Sequence, residues 1–393
     1  MKKEKFQYVC QSCGFVSPRW LGRCSECGEW NSMVEEKVTS PTVKKRSSAG
    51  GQQAVSPVSL AHVESSRETR IRCRSREFDR VLGDGIVPGS LVLIGGDPGI
   101  GKSTLMLQEG VALASQGMNV LYVSGEESLS QTRMRADRLG VNAEKLFLLP
   151  ENNLENVIAA VEQNQPQIVI IDSIQTIYSS QLESSPGSIS QVRECANQFL
   201  HLAKSRSVPI FLVGHVTKEG YIAGPKVLEH TVDTLLLFEG DRNHFFRILR
   251  AAKNRFGSTN EIGVFEMTDR GLVDVSNPSE IFLAQRKADI SGSVVISILE
   301  GTRPLLLEVQ ALVSPSNYGL PQRTATGVDP KRLAMLLAVL EKRVGLRVGT
   351  FDVFVNAVGG VRIDETAADL GITLAIASSF RNQVITPNAV LVG

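Results

Sequence analysis

The chain has 393 residues, a formal net charge of +1, and hydrophobic and charged fractions of 42% and 21%. This length and composition are typical of an ordinary globular protein with two or three domains. No apolar stretch approaches the roughly 20 residues that a membrane helix needs. The basic start Met1–Lys5 is not followed by the apolar run of a secretory signal. The sequence therefore predicts a cytoplasmic protein with no membrane partner.

Four of the six cysteines lie within the first 30 residues, in two Cys-x-x-Cys pairs, each followed by a glycine. In a cytosolic chain, clustered cysteines favour a metal site over disulfides. Two such pairs supply four thiolates, which is the ligand set of a structural, tetrahedral zinc site. For Trp20 and Trp30 in the same segment, packing against the module is favoured over stacking on bases. The predicted Zn²⁺ ligands are Cys10, Cys13, Cys24 and Cys27.

The zinc module is assigned to residues 1–34, and residues 35–56 have the composition of a flexible linker. In residues 57–277, short apolar runs alternate with helical stretches, which indicates βαβ units and a mainly parallel sheet. A helix is predicted over Lys102–Gln116. The predicted strands are Leu91–Ile94, Asn119–Val123, Ile168–Ile171, Pro209–Val213 and Leu235–Phe238.

Residues 278–393 have the pattern of a second α/β domain. The chain stops at Val390–Gly393, inside an apparent strand pattern and without a terminal helix, so we expect this domain to be incomplete at its C-terminus. The predicted strands are Ser293–Leu299, Leu305–Val309 and Asp352–Val358, and the predicted helices are Asp329–Arg343 and Asp364–Phe380.

The most specific motif is Gly96–Ser103, which fits the phosphate-binding pattern G-x-x-x-x-G-K-[ST] in full, between a strand and a helix. Such a loop turns several backbone N–H groups towards one anion, and the helix N-terminus adds its positive dipole end. We expect Lys102 to reach the β- and γ-phosphates of ATP, and the Ser103 hydroxyl to bind Mg²⁺. The predicted nucleotide-binding residues are Gly96, Asp97, Pro98, Gly99, Ile100, Gly101, Lys102, Ser103 and Thr104.

Hydrolysis of ATP also requires carboxylates at the carboxyl ends of neighbouring strands. Asp172 ends the apolar run Ile168–Ile171 and is predicted to help hold Mg²⁺. Glu126 is predicted to orient the attacking water and is preferred to the adjacent Glu127. His215 follows a later strand, and the sequence leaves open whether it senses the γ-phosphate or is structural.

Basic residues form two clusters in the same domain, and either cluster could neutralise nucleic-acid phosphates. A solvated surface is an equally good interpretation of each. The first cluster is Arg67, Arg70, Arg72, Arg74, Arg76 and Arg80, and the second is Arg242, Arg247, Arg250, Lys253 and Arg255.

The second cluster contains the sequence Lys-Asn-Arg-Phe-Gly at residues 253–257. The ordered set of four-cysteine module, phosphate-binding loop, this motif and the C-terminal domain resembles the bacterial RadA (Sms) family of recombination and repair proteins, from Cys10 to the chain end. The resemblance implies a RecA-like ATPase core and a Lon-protease-like C-terminal domain. It also implies a DNA-dependent ATPase that drives branch migration, with single-stranded and branched DNA, the RecA recombinase and a homo-hexameric ring as partners. Lys253 and Arg255 would then act at the subunit interface, on the γ-phosphate of a neighbour.

The C-terminal domain departs from the protease pattern at the position of the nucleophile. Lon proteases have a serine there, whereas this chain reads Ala368-Asp369-Leu370-Gly371. A carboxylate cannot form the acyl-enzyme of a serine–lysine dyad, so the domain is interpreted as a scaffold. Ser378 and Ser379 are interpreted as packing residues. The alternatives to a DNA motor are a nucleotide-gated module that holds a recombinase on DNA, and an ATP-dependent Lon-like protease.

Overall fold

A computed structural model describes residues 6–10, 14–26, 28–37, 59, 70–215, 225–240, 246–283, 286–287, 289–316 and 319–393. The chain divides into two compact units. The first comprises Met1–Phe238, Ala251–Gly257 and Asp269–Gly271, and the second comprises Glu239–Arg250, Ser258–Thr268 and Leu272–Gly393. The domain limits drawn from the sequence stay a proposal. The first three residues of the predicted linker 35–56 belong to the strand Met33–Lys37, and residues 38–56 lie outside the described residues. Within the described ranges, no helix is both long and apolar enough to cross a membrane.

The N-terminal module is a small antiparallel sheet. Its strands are β1 (Phe6–Cys10), β2 (Val16–Ser17) and β3 (Met33–Lys37), in the order β2-β1-β3. Among the described residues of the module, one buried cluster is formed by Cys10, Cys24 and Met33, with Tyr8, Phe15 and Leu21 packed against it. A core of this size is too small to stabilise a fold alone, because short chains bury too little apolar surface.

The first unit also contains a parallel sheet whose strands lie in the order β9-β4-β8-β7-β5-β6. The strands are β4 (Leu91–Gly96), β5 (Val120–Ser124), β6 (Leu146–Leu149), β7 (Ile168–Asp172), β8 (Ile210–Val213) and β9 (Thr234–Glu239). The helices are α1 (Arg76–Leu82), α2 (Lys102–Ser115), α3 (Leu129–Arg138), α4 (Leu154–Asn164), α5 (Ile189–Arg206) and α6 (Pro225–Thr231). This arrangement confirms the predicted α/β core of RecA-like type.

The mostly apolar sequences of the inner strands explain why they are buried in the centre of the sheet. β4, β5, β7 and β8 are buried along their whole lengths, as expected for parallel strands that helices cover on both faces. Helices α3, α4 and α5 begin where Ser128, Asn153 and Ser188 accept hydrogen bonds from backbone N–H groups of the first turn. Because all six strands run the same way, their carboxyl ends meet at one edge of the sheet.

The second unit contains a five-stranded sheet in the order β15-β16-β14-β13-β17, packed against α8 and α9 through residues such as Leu333 and Ile372. The sheet strands are β13 (Ser293–Glu300), β14 (Arg303–Pro315), β15 (Arg323–Thr326), β16 (Phe351–Ala357) and β17 (Val390–Leu391). The helices are α7 (Pro278–Leu283), α8 (Pro330–Val339) and α9 (Asp369–Arg381). Three earlier strands are β10 (Phe246–Asn254), β11 (Ile262–Thr268) and β12 (Gly271–Asp274), and Phe246–Arg250 pairs antiparallel with Ile262–Glu266.

Two predicted helices differ from those observed. The α-helix predicted to reach Arg343 ends at Val339 and continues as a π-helical turn over Leu340–Val344. The helix predicted from Asp364 begins only at Asp369, after a 3-10 turn over Thr366–Ala368. In both cases the apolar pattern is right and the boundary is wrong, because a tighter or wider turn shows almost the same spacing of apolar residues.

Candidate active site and zinc module

The phosphate-binding loop connects the end of β4 to the start of α2. Gly99 and Gly101 have φ angles of 77° and 120°, which residues with a Cβ rarely adopt. The Lys102 side chain lies across the loop, and its Nζ donates to the carbonyl oxygens of Gly96 at 2.7 Å and Asp97 at 2.9 Å. Burial lowers the pKa of Lys102 to about 8, although the nearby carboxylates of Asp172, Asp97 and Glu126 act to raise it. The loop therefore presents a cation and a helix N-terminus at one point.

The Asp172 carboxylate lies next to this loop, at the end of β7. Ser103 Oγ donates to Asp172 Oδ1 at 3.1 Å, and the Tyr122 hydroxyl donates to Oδ2 at 2.5 Å. Arg135 Nη1 is 3.8 Å from Oδ2. The structure thus brings together the two residues predicted to hold Mg²⁺, and it adds Tyr122 and Arg135, which sequence reasoning did not identify. Oxygen donors of this kind suit a hard divalent cation.

Glu126 and Glu127 have different environments although they are adjacent. Glu126 Oε1 accepts a hydrogen bond from Ser173 Oγ at 2.6 Å and is 3.4 Å from His215 Nε2. Its side chain is 46% exposed, whereas that of Glu127 is 29% exposed and forms an ion pair with Arg135. Glu127 is therefore engaged by a cation, and Glu126 remains accessible at the same edge of the sheet as the phosphate-binding loop.

The contact with Glu126 brings His215 into the candidate active site. Gln175 Nε2 donates to the His215 carbonyl oxygen at 3.4 Å. Among the described residues, the buried atoms His215 Nδ1 and Gln175 Oε1 have no hydrogen-bond partner. A buried polar atom without a partner is uncommon in a folded protein. These two atoms are therefore available to a ligand or to water, which agrees with the sensing alternative for His215 without deciding it.

Lys253 and Arg255 lie at the opposite edge of the sheet. Lys253 Nζ donates to the carbonyl oxygens of Glu229 at 2.5 Å and Val232 at 2.8 Å. Arg255 Nη1 is 3.1 Å from Asp233 Oδ1, and Asp233 Oδ2 accepts the backbone N–H of Leu91, the first residue of β4. The phosphate-binding loop follows the last residue of β4. These two cations are therefore separated from their own loop by the length of that strand.

Several members of the two basic clusters have protein partners. Arg70 donates to the carbonyl oxygens of Gly83 and Phe256, and Arg250 forms ion pairs with Glu239 and Glu300. Arg67 and Arg242 lie outside the described residues. The structure therefore favours a structural role for Arg70 and Arg250 over the binding of nucleic-acid phosphates.

Cys10 and Cys24 in the N-terminal module are buried and have matching surroundings. The Cys10 N–H donates to Phe15 and its carbonyl oxygen accepts from Gly14, while Cys24 makes the corresponding pair of bonds with Glu29 and Gly28. Gly14 and Gly28 both have a positive φ, at 76° and 74°. Cys13 and Cys27 lie outside the described residues. Two equivalent turns, each carrying a buried thiol, fit the thiolate chemistry that Zn²⁺ prefers.

The tryptophans correct one expectation. Trp20 and Trp30 are 54% and 68% exposed instead of packed into the module. The Arg23 guanidinium carbon lies 5.8 Å from the centre of the Trp30 ring. The reason for the difference is the small size of the module, whose few core residues offer no surface large enough to cover two indole rings.

Removal of zinc is expected to unfold this module and leave the parallel-sheet core folded. The small apolar core of the module makes its folding depend on metal. Both tryptophans of the chain belong to the module, so the anisotropy of tryptophan fluorescence should fall on chelation, and in Cys10→Ser without chelator. Replacing the buried Cys73 with serine should leave the anisotropy unchanged. A chelated protein that keeps its tryptophan anisotropy would contradict the role of the metal.

The position predicted for a protease nucleophile is engaged in an ion pair. Asp369 Oδ1 accepts from Arg332 Nε at 2.6 Å. Ser378 Oγ accepts the N–H of Gly292 and donates to a carbonyl oxygen, and Ser379 Oγ accepts the N–H of Val313. All three side chains are therefore used within the second unit, as expected for a scaffold.

A family model described as AAA domain matches residues 57–221, and one described as Rubredoxin metal binding domain matches residues 8–35. DNA repair protein RadA of Bacillus subtilis (strain 168) is 53% identical over 100% of this chain and 86% of its own length. The chain belongs to the RadA family of DNA repair proteins. RadA of Halalkalibacterium halodurans is 54% identical with the same coverage, and RadA of Listeria monocytogenes is 51% identical over 97% of this chain and 83% of its own length.

Membership of the RadA family confirms the resemblance inferred from the sequence motifs. The two domain matches support a nucleotide ligand for the core and zinc for the N-terminal module. Among solved structures, the KaiC-like protein PH0186 from Pyrococcus horikoshii OT3 is similar, with 20% identity and a TM-score of 0.44 over 52% of this chain and 98% of that chain.

Proposed function

We propose that this RadA family member is a DNA-dependent ATPase of homologous recombination and repair, which branch-migrates recombination intermediates together with the RecA recombinase. The observation that carries the proposal is the position of Lys102, Ser103, Asp172 and Glu126 at the carboxyl edge of one parallel sheet. Ser103 donates to Asp172, and the carboxylates of Asp172 and Glu126 lie near enough to Lys102 to raise its pKa against the effect of burial. A ligand bound at such an edge reaches loops from several strands at once.

The substrate ATP would be held by the backbone of residues 96–104. The Lys102 ammonium would leave the carbonyl oxygens of Gly96 and Asp97 for the β- and γ-phosphates, since phosphate oxygens bind a cation more strongly than neutral carbonyls do. Ser103 and Asp172 would hold Mg²⁺, which when bound neutralises charge on the transferred phosphoryl group. These residues would bind and orient the phosphates, and a further residue is needed to activate the attacking water.

Glu126 is the carboxylate that we assign to the attacking water. Its contacts with Ser173 and His215 are both made by Oε1, and among the described residues no hydrogen bond engages Oε2. The second oxygen can therefore accept a proton from water, while Ser173 fixes the orientation of the carboxyl group.

Replacement of Glu126 with glutamine should leave ATP binding intact and lower turnover by about 10²–10⁴-fold, which is the usual contribution of a general base. Glu127→Gln is the adjacent control. It should have a smaller effect, because the Glu127 carboxylate is already paired with Arg135. The measurement is steady-state phosphate release, with binding of a fluorescent ATP analogue measured in parallel. If Glu126→Gln and Glu127→Gln lost turnover equally, Glu126 could not be assigned to the attacking water in preference to Glu127.

Two measurements, ATP turnover with and without DNA and particle mass, distinguish the DNA-dependent motor from the nucleotide-gated module. We expect single-stranded DNA to stimulate ATP turnover, and the particle mass under the same conditions to match a homo-hexamer. A turnover that ignores DNA, in protein that still binds DNA, would favour the module that holds a recombinase without motor work. Binding should also weaken steeply with salt if DNA phosphates are neutralised.

A further inference from the structure

Tyr122 is a buried tyrosine among the apolar residues Val120, Leu121 and Val123 of β5. It lies in the middle of β5, is 1% exposed, and is the register neighbour of Ile170 in β7. A phenylalanine would fill almost the same space. A buried hydroxyl has a desolvation cost unless it forms a hydrogen bond, and the hydrogen bond that the hydroxyl donates goes to Asp172 Oδ2 at 2.5 Å. The hydroxyl is therefore explained by Asp172 and not by packing.

The two oxygens of Asp172 have separate partners. Oδ2 accepts from Tyr122, while Oδ1 accepts from Ser103 Oγ at 3.1 Å. Since the Ser103 hydroxyl hydrogen points towards Asp172, the lone pairs of Ser103 Oγ point away from it and remain available to a cation. The orientation of the carboxylate thus sets the direction in which Ser103 can act as a ligand.

A guanidinium also lies near Asp172 Oδ2, the oxygen that accepts from Tyr122. Arg135 Nη2 pairs with Glu127. The buried Nη1 has no hydrogen-bond partner in the part of the chain that the structure describes, and it is 3.8 Å from Asp172 Oδ2. A positive charge at this distance attracts the carboxylate and restrains its orientation. Glu127 limits the movement of Arg135 and so keeps the charge near Asp172.

We propose that Tyr122 is a positioning residue for the magnesium–nucleotide site, orienting Asp172 through a hydrogen bond, with Arg135 as a second positioning residue held by Glu127. This inference rests on the proposed function, because it concerns the same Asp172 and Ser103. Neither Tyr122 nor Arg135 is assigned a contact with phosphate or cation. They act on the metal site through one carboxylate.

The test is the dependence of nucleotide binding on Mg²⁺. The fluorescence of an ATP analogue labelled on its ribose is titrated with protein at a series of Mg²⁺ concentrations, and also in EDTA. Tyr122→Phe should raise the half-saturating Mg²⁺ concentration about 5–10-fold, the effect of losing one hydrogen bond of ordinary net strength. Its affinity for the nucleotide in EDTA should equal that of the unaltered protein. The matched control is Tyr178→Phe, since Tyr178 contacts Asn152 and Leu154 through its backbone.

Arg135 is tested in the same way against a neighbour on α3. Arg135→Gln should also raise the Mg²⁺ requirement, whereas Arg133→Gln should not, because Arg133 pairs with Asp137 on the exposed face. A purely structural role would weaken binding equally with and without Mg²⁺ and would lower the melting temperature. That result in Tyr122→Phe, or an unchanged Mg²⁺ requirement, would overturn the inference.

Two further variants separate this inference from the proposed function. Lys102→Ala should lose nucleotide binding in all conditions, and Asp172→Asn should lose the response to Mg²⁺. If both behave in this way and Tyr122→Phe matches the unaltered protein, only the positioning role fails. If Lys102→Ala and Asp172→Asn both bind normally, the assignment of the nucleotide site itself is wrong.

Discussion

ATP turnover in the Lys102→Ala protein is expected to fall by at least about a hundredfold, in the range seen when one preorganised stabilising group is removed from an active site. The ammonium group lies at the end of β4 and is held there by two carbonyl oxygens of its own loop. It is therefore already positioned before the nucleotide arrives. Its removal also leaves the β- and γ-phosphates without their nearest side-chain cation, so binding of ATP should weaken as well.

Lys145→Ala is the matched control for this variant. Lys145 Nζ also donates to a backbone carbonyl oxygen, that of Gly117 at 2.8 Å, but it lies on the exposed surface after α3. Its removal should change turnover by less than the error of the assay. Phosphate release by Lys102→Ala at the rate of Lys145→Ala would show that the loop does not bind the reacting phosphates.

Arg255→Ala is expected to lose about 10³-fold in turnover, the lower end of the range for an arginine supplied to a neighbouring site, while its own nucleotide binding stays intact. Arg255 pairs with Asp233, which contacts the first residue of β4, whereas the loop follows the last residue. At about 3.3 Å per residue the strand separates them by about 17 Å. We therefore predict that Arg255 acts on the nucleotide of a neighbouring subunit and not on that of its own chain. Arg206→Ala, which breaks an exposed ion pair with Glu162, is the control.

Mixing two inactive proteins tests this geometry directly. Lys102→Ala subunits retain Arg255, and Arg255→Ala subunits retain the phosphate-binding loop. In a mixed ring, some interfaces join an intact loop to an intact arginine, and turnover should return above the level of either protein alone. No recovery in a mixture shown to co-assemble would mean that Arg255 acts within its own chain or not at all.

The sequence predicted the features of this protein that depend on local chemistry. The loop at residues 96–103 needs glycines and a lysine at fixed spacing, and β7 needs a continuous apolar run that ends in Asp172. Such patterns are visible in one short segment, because the same few residues supply both the conformation and the function.

The contacts that the sequence did not reveal depend on strand order. Tyr122 meets Asp172 because β5 lies beside β7, although 50 residues separate them in the chain. Arg135 reaches both Glu127 and Asp172 only after α3 turns back towards the strand. The one available signal was a tyrosine inside the apolar run Val120–Val123. A hydroxyl buried in such a strand must find a partner, but sequence alone does not say which.

The buried carboxylate of Asp233, which is 1% exposed, also accepts Lys204 Nζ at 2.7 Å. Asp233 therefore has a second positively charged partner, Lys204, in addition to Arg255. If Arg255 swings out to a neighbour, Lys204 and the Leu91 amide still neutralise and solvate the charge that it leaves behind. An isolated buried anion would oppose that departure strongly. Movement of the Arg255 side chain would therefore not leave Asp233 as an unpaired buried charge. The side chain can then change position while the strands of the sheet stay in place.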